Sequence, residues 1–330
     1  MFFLRFLIPP IILLLIVAGL VYGVVRNVIR LCRHKLKIRH AITLAFCLLI
    51  IGIITWGFTL GFEAFRRVEV EYASKDLPES FDGYRIVMFS DAHVGNFHGS
   101  RAHILRHALH EMNAEKADAI VFCGDIENQS PEELLPFIDD FKGLHAKDGV
   151  FSILGNHDYS LYMHNADEKK KQESLARTIA TEESFGWKVL RNENTIIHRG
   201  EDSVFIVGEE NQGGGMFPKY ANVEKAMQGI SNTAFTIMLQ HDPTAWREHI
   251  LKKTTAQLTL SGHTHAGQFS VFGWSPASHI YDEVRGAYYT EDGRMLYVSS
   301  GLGGVVPFRF NMPGEIVVIT LRCKQVTPKD

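Results

Sequence analysis

Six short apolar runs, at residues 85–90, 119–123, 150–154, 203–207, 234–239 and 257–260, have the length of buried strands. Five of them lead directly into clusters of Asp, His and Asn. Asp91-Ala92-His93 follows the first, and Gly124-Asp125-Ile126-Glu127-Asn128 the second. Gly155-Asn156-His157-Asp158 follows the third. His241-Asp242-Pro243 and Gly262-His263-Thr264-His265 follow the last two. Helical spacing lies between the runs. Residues 100–115 place Ile104, Leu105, Ala108, Leu109 and Met112 on one face. Ser130 before Pro131, with Glu133 behind, reads as the N-cap and first position of another helix. Residues 68–72 alternate as a strand, and 295–299 and 315–321 read as late strands. Strand–helix alternation predicts an α/β core. Ligands of such folds bind just past the carboxyl ends of the strands, where the polar clusters fall.

The clustered residues are carboxylates, imidazoles and two amides, with no thiol. Mixed oxygen and nitrogen donors suit Mn, Fe or Zn. Seven potential ligands are too many for one ion and about right for two. Two ions about 3.5–4 Å apart can clamp the attacking and leaving oxygens of a displacement at phosphorus. A carboxylate near the middle of the set must then bridge them.

The ordered set D-x-H, G-D-x-x-N, G-N-H-D, H and G-H-x-H resembles the calcineurin-like metallophosphoesterase family, over residues 68–322. The tail Ser299-Ser300-Gly301-Leu302-Gly303-Gly304, followed by Pro307-Phe308-Arg309, resembles that family's membrane-associated branch. Two positions depart from the pattern. Gly314 interrupts a usual Pro-Glu pair, and Asn128 stands where relatives often carry an acid. The resemblance implies a two-sheet β-sandwich flanked by helices. It implies that Asp91, His93 and His265 hold one metal, that Asn156, His241 and His263 hold a second, and that Asp125 bridges them. A hydroxide held by both metals would attack phosphorus. His157 would act at the leaving group as general acid or by stabilising the developing charge, with Asp158 orienting its ring.

Other polar residues carry smaller expectations. His98 sits in a Gly-rich loop five residues after the first motif, within reach of a substrate phosphate. Arg309 offers a guanidinium for the same role. His103, His107 and His110 lie opposite the apolar face of their helix and should face water. Cys123 lies inside an apolar run and reads as a core thiol; no CxxC spacing exists. Phe269, Phe272, Trp274, Tyr281, Tyr288 and Tyr289 crowd the stretch after His265, as core or as a site rim touching lipid.

Two apolar stretches precede this region. Residues 1–25 and 41–62 are each long enough to span a bilayer, which takes roughly 20 residues of helix. Between them, residues 26–40 read as a basic loop with Arg26, Arg30, Arg33, Lys35, Lys37 and Arg39. The outer flanks offer only Arg5, then Arg66 and Arg67. The two apolar stretches predict an integral membrane protein of the plasma or inner membrane, and the charge bias predicts its sides. The loop would be cytoplasmic, and a metallophosphoesterase domain over 66–330 extracytoplasmic.

Removing residues 1–67 leaves 25 Lys/Arg against 36 Asp/Glu, a formal −11. A domain so acidic is a poor partner for a phosphate backbone, so no nucleic acid is expected. The leading expectation is a phosphodiesterase or phosphatase. The alternative resembles membrane-associated UDP-2,3-diacylglucosamine pyrophosphatases, with a lipid-linked substrate and the opposite topology. A non-catalytic scaffold is the third reading, disfavoured because no ligand position is lost.

Overall fold

The computed structural model describes residues 2–33, 37–215 and 217–324, with only the course of the backbone over 2–14. The chain divides into two compact units, Met1–Gly61 and Phe62–Asp330.

The first unit is a helix pair, Phe2–Cys32 and Ile38–Phe58. The helices approach closely at Gly23, where an added Cβ would lie 2.9 Å from Cys47 Sγ. Small residues permit this kind of backbone approach between apolar helices. The segment 26–40 is therefore not one loop. Arg26 and Arg30 continue the first helix, because Arg is a good helix former and charge alone does not end a helix. Lys35 and the side chain of Arg5 lie outside the described residues. Both helices are long and apolar enough to cross a membrane, and Leu15, Ile42, Phe46, Leu49 and Trp56 are exposed on them.

The second unit is an α/β sandwich of two six-stranded sheets. Its strands are β1 (Phe65–Ser74), β2 (Arg85–Phe89), β3 (Ala119–Cys123), β4 (Val150–Ile153), β5 (Lys188–Val189) and β6 (Glu193–Arg199). Then follow β7 (Asp202–Gly208), β8 (Thr236–Leu239), β9 (Leu258–Ser261), β10 (Gly286–Tyr289), β11 (Met295–Val298) and β12 (Gly314–Cys323). One sheet runs β1-β12-β2-β3-β4-β5 and the other β10-β11-β9-β8-β7-β6. The strands that feed the motifs pair in parallel, β2 with β3, β3 with β4, and β8 with β9. Their carboxyl ends therefore share one edge.

Strand alternation builds the layers. Ile86, Met88, Val121 and Ile153 face Val204, Ile206, Ile237, Leu239, Leu258 and Leu260 across the sandwich. Val87, Phe89, Ile120 and Phe122 point the other way, onto the helix Ala102–Ala114 and its Ile104, Leu105, Ala108, Leu109 and Met112. His103, His107 and His110 are exposed on that helix. Cys123 is buried and free. The helix expected from Ser130 is a 3-10 segment, Pro131–Phe137, turning α-helical only over Ile138–Lys142. Pro136 within it has no N–H to donate, and in an α-helix its ring would clash with the preceding turn.

Candidate metal centre

The motif loops emerge together from β2, β3, β4, β8 and β9 and are tied to one another by main-chain hydrogen bonds. Asp91 N–H donates to Gly124 O at 2.8 Å, His93 N–H to Asp125 O at 3.1 Å, and Gly262 N–H to His241 O at 3.0 Å. Small residues make this convergence possible. At Gly124 a Cβ would lie 2.5 Å from Gly155 N, and at Gly155 it would collide with the Asp125 carboxylate. Asp91, His93, Asp125, His263 and His265 all have left-handed backbones, with φ between 44° and 72°. For residues with a Cβ this costs on the order of 1 kcal/mol each. The surrounding loop contacts hold that strain where the polar side chains meet.

Two groups of donor atoms result. Asp91, His93, Asp125 and His265 form one, and Asp125, His241 and His263 the other, each within 4.8 Å. The two groups share Asp125. In the first, His93 Nε2 faces His265 Nε2 at 3.3 Å, and His265 Nε2 lies 3.4 Å from Asp91 Oδ1. In the second, His263 Nδ1 faces His241 Nε2 at 3.3 Å. Asp125 Oδ2 lies 3.6 Å from His93 Nε2 and 3.3 Å from His241 Nε2, while Oδ1 accepts the His157 N–H at 2.8 Å. Asn156 is buried, its Nδ2 donates to Tyr162 Oη at 3.1 Å, and its Oδ1 has no hydrogen-bond partner. Buried acceptors rarely go unpaired. Converging imidazoles, carboxylates and this free oxygen fit a divalent cation better than they fit one another.

Burial and proximity set the protonation of these groups. Burial pushes His93 down to about 3 and His263 to about 4, and holds His265 well below the ordinary imidazole value. Burial also disfavours charge on His241, but Asp125 and then Asp91 outweigh it and carry His241 up to about 10. Asp125 is the converse: burial opposes its ionisation, yet His241 and His157 hold it well below the usual carboxylate range. Burial raises Asp91 to about 6.

His157 lies at the edge of the donor groups and retains 8% exposure. Its ring stands edge-on to His93 at 4.6 Å and stacks on Tyr162 at 4.1 Å. Its Nδ1 meets Asn128 O at 2.7 Å, and a carbonyl can only accept, so Nδ1 carries a hydrogen and Nε2 is the nitrogen left for other chemistry. The main chain of Asn128, not Asp158, therefore orients the ring. Asp158 instead accepts the N–H groups of Asp125, Ile126 and Gly155 at 2.8–2.9 Å, joining two motif loops from beneath. Burial, then the Asp125 charge, raises its carboxyl to about 7.

Neither expected substrate residue belongs to the donor groups. His98 is exposed, and its Nε2 meets Glu133 O at 2.9 Å. Arg309 is fully buried and cannot serve a substrate phosphate, because its donors already serve carbonyls. Nη1 donates to Met312 O and Nη2 to Ser300 O, at 3.0 and 2.8 Å, and Nε to Gly303 O at 2.9 Å. It ties the closing loop together. The sequence missed three neighbours: Tyr162, Phe217, whose ring is edge-on to His263 at 4.7 Å, and the Cys123 carbonyl, which takes His241 Nδ1–H at 2.7 Å. Tyr281, noted only among the aromatics, places its hydroxyl 3.0 Å from His263 Nε2.

The chain belongs to the calcineurin-like phosphoesterase family, whose model matches residues 84–267. A "Transmembrane protein with metallophosphoesterase domain" from Danio rerio is 29% identical over 263 residues, 77% of this chain and 57% of its own length. This chain thus spans just over half of that relative. The "Uncharacterized metallophosphoesterase YkuE" of Bacillus subtilis is 29% identical over 307 residues, 87% of this chain and 98% of its own. The "UDP-2,3-diacylglucosamine pyrophosphatase LpxG" of Chlamydia trachomatis is 27% identical over 321 residues, covering 82% and 93%.

Proposed function

We propose that this chain is a membrane-anchored hydrolase of phosphoester bonds that works with two divalent ions, Mn, Fe or Zn. The observation that carries the reading is the sharing of Asp125 Oδ2 between two converging donor groups. Asp91, His93 and His265 would hold one ion, Asn156, His241 and His263 the other, and Asp125 both. Bound there, the ions supply positive charge for phosphoryl oxygens and lower the pKa of water. The chain's own contribution is positional. Asp158 locks the loops bearing Asp125 and Asn156. The Asn128 carbonyl fixes one nitrogen of His157, so a second proton on Nε2 can pass to the leaving oxygen. The two apolar helices would anchor the protein in the plasma or inner membrane, with the catalytic unit extracytoplasmic as the charge bias of residues 26–40 suggests.

A pyrophosphate bond in a lipid precursor is the second reading, favoured by likeness to the Chlamydia pyrophosphatase along most of both chains. Purified protein loaded with Mn should hydrolyse p-nitrophenyl phosphate or its bis ester, and metal analysis should find two ions per chain. No turnover on these or on a diacylglucosamine nucleotide, with both ions bound, would sink the enzymatic reading and revive a scaffold. A reporter fused after Asp330 that is active in the cytoplasm would move the catalytic unit inside and favour the lipid-precursor substrate.

A further inference from the structure

Residues 265–281 and 295–308 contain no Asp, Glu, Lys or Arg, in a chain that is 22% charged. The two stretches are stitched together beside the metal centre. Gln268 donates from Nε2 to Val306 O and Phe308 O at 2.8 and 2.6 Å, and Phe310 N–H to Gln268 O at 3.0 Å. Gly303 N–H bonds Asp91 O at 2.9 Å, and Tyr281 reaches His263, so these loops also wall the site. They leave Phe272, Trp274, Ile280, Val305 and Val306 exposed.

Phe272 is the informative residue. Val271 and Trp274 exchange both main-chain hydrogen bonds at 3.0 Å, making a two-residue hairpin with Phe272 and Gly273 at its tip. Both tip residues have positive φ, 49° and 85°, the requirement of a turn that favours Asn-Gly. Phe is a poor choice for that backbone, and at 103% exposure it packs against nothing. Neither turn chemistry nor the core explains it.

We propose that this uncharged rim docks on a lipid bilayer, with Phe272 and its apolar neighbours entering the boundary between headgroups and acyl chains. The inference rests on the membrane-anchored reading, because the two apolar helices keep the bilayer within the chain's reach. An apolar tip in a unit of strong negative charge binds by burial of hydrocarbon rather than by attraction to anionic lipid. Docking would present a phosphoester at headgroup level to the walls of the site.

The test uses the full chain in phosphatidylcholine vesicles that carry nitroxide-labelled acyl chains. A fluorophore is attached through Phe272→Cys, Leu49→Cys or Glu201→Cys, one at a time, with Cys32 and Cys323 changed to Ser. Leu49 reports the anchor, and Glu201, exposed on the turn between β6 and β7, reports the aqueous side. Quenching at 49 and 272 but not at 201 supports docking. Quenching at 49 without 272 overturns the rim and leaves the anchor intact. Quenching at neither overturns both, whereas quenching at 272 alone supports the rim and rejects the anchor. Phe272→Asp suits the turn and should lower turnover of a vesicle-embedded phosphoester roughly tenfold, the factor one buried aromatic supplies. Turnover of soluble bis-p-nitrophenyl phosphate should not change. Equal turnover of the embedded substrate by both proteins would count against docking.

Discussion

The two donor groups share one carboxylate but are held in place differently. In the group of Asp91, His93 and His265, the Nδ1 atoms of both imidazoles are buried without a partner. Left-handed backbone aims these residues, as it also does Asp125 and His263, and Asp91 is held besides by the Ser90 hydroxyl at 2.5 Å and the His263 N–H at 3.0 Å. In the other group, each imidazole is held through its second nitrogen. His241 donates to the Cys123 carbonyl, and His263 meets Tyr281 Oη and, at 3.4 Å, Asp242 Oδ2. The imidazoles of one position lack a partner on the second ring nitrogen and those of the other have one, and such partners fix ring orientation and basicity. Mutation and pH should therefore affect them unequally.

The largest effect should come where the groups meet. Asp125→Ala removes the one oxygen facing both His93 and His241, so both ions should be lost. Activity should then fall by at least about a thousandfold. Metal analysis of the purified variant decides this: two ions retained would disprove the bridging assignment. His157→Ala should separate chemistry from binding. It touches neither donor set through its own ring nitrogens, so both ions should stay while kcat drops about a hundredfold. The loss should be least for p-nitrophenol, a leaving group that needs little protonation. A uniform loss across leaving groups would argue that His157 only packs against His93 and Tyr162.

These contrasts also show what the sequence could reveal. The donor residues were legible because their chemistry resides in side chains, and apolar runs ending in Asp, His or Asn place them at strand ends. The groups that aim them were not, since the Cys123 and Asn128 carbonyls belong to the main chain and carry no residue signature. Asp158 misled because a carboxylate beside a histidine suggests a pair, whereas its oxygens are taken by three N–H groups close by. Arg309 misled likewise: a guanidinium near a site suggests phosphate, but its fork also matches a ring of carbonyls. Strand–helix alternation gave the α/β core and only the family resemblance gave the two sheets, while the 3-10 segment after Ser130 turned on one proline.

Protonation gives the next contrast. His241 carries its second proton up to about 10, and metal ligation needs the neutral ring. Loading the second position must expel that proton, so its affinity should rise about tenfold per unit between about pH 7 and 9. His93, at about 3, and His265 are already neutral there, and Asp91, at about 6, is ionised. The first position has no proton to release and its affinity should stay flat. Calorimetry in buffers of different ionisation enthalpy measures the protons released. Equal pH slopes for the two ions would erase the distinction.

The smallest effect tests the outer partners alone. Tyr281→Phe removes the hydroxyl at His263 Nε2 and leaves the ring to pack. Metal affinity at the second position should weaken roughly tenfold, the scale of losing a partner that orients a ligand. The first position, whose imidazoles have no such partner, should be unchanged. Competition with a chelator resolves the two affinities. If both weakened together, the hydroxyl would be acting through Asp125, and the groups would be one coupled unit rather than two differently held sites.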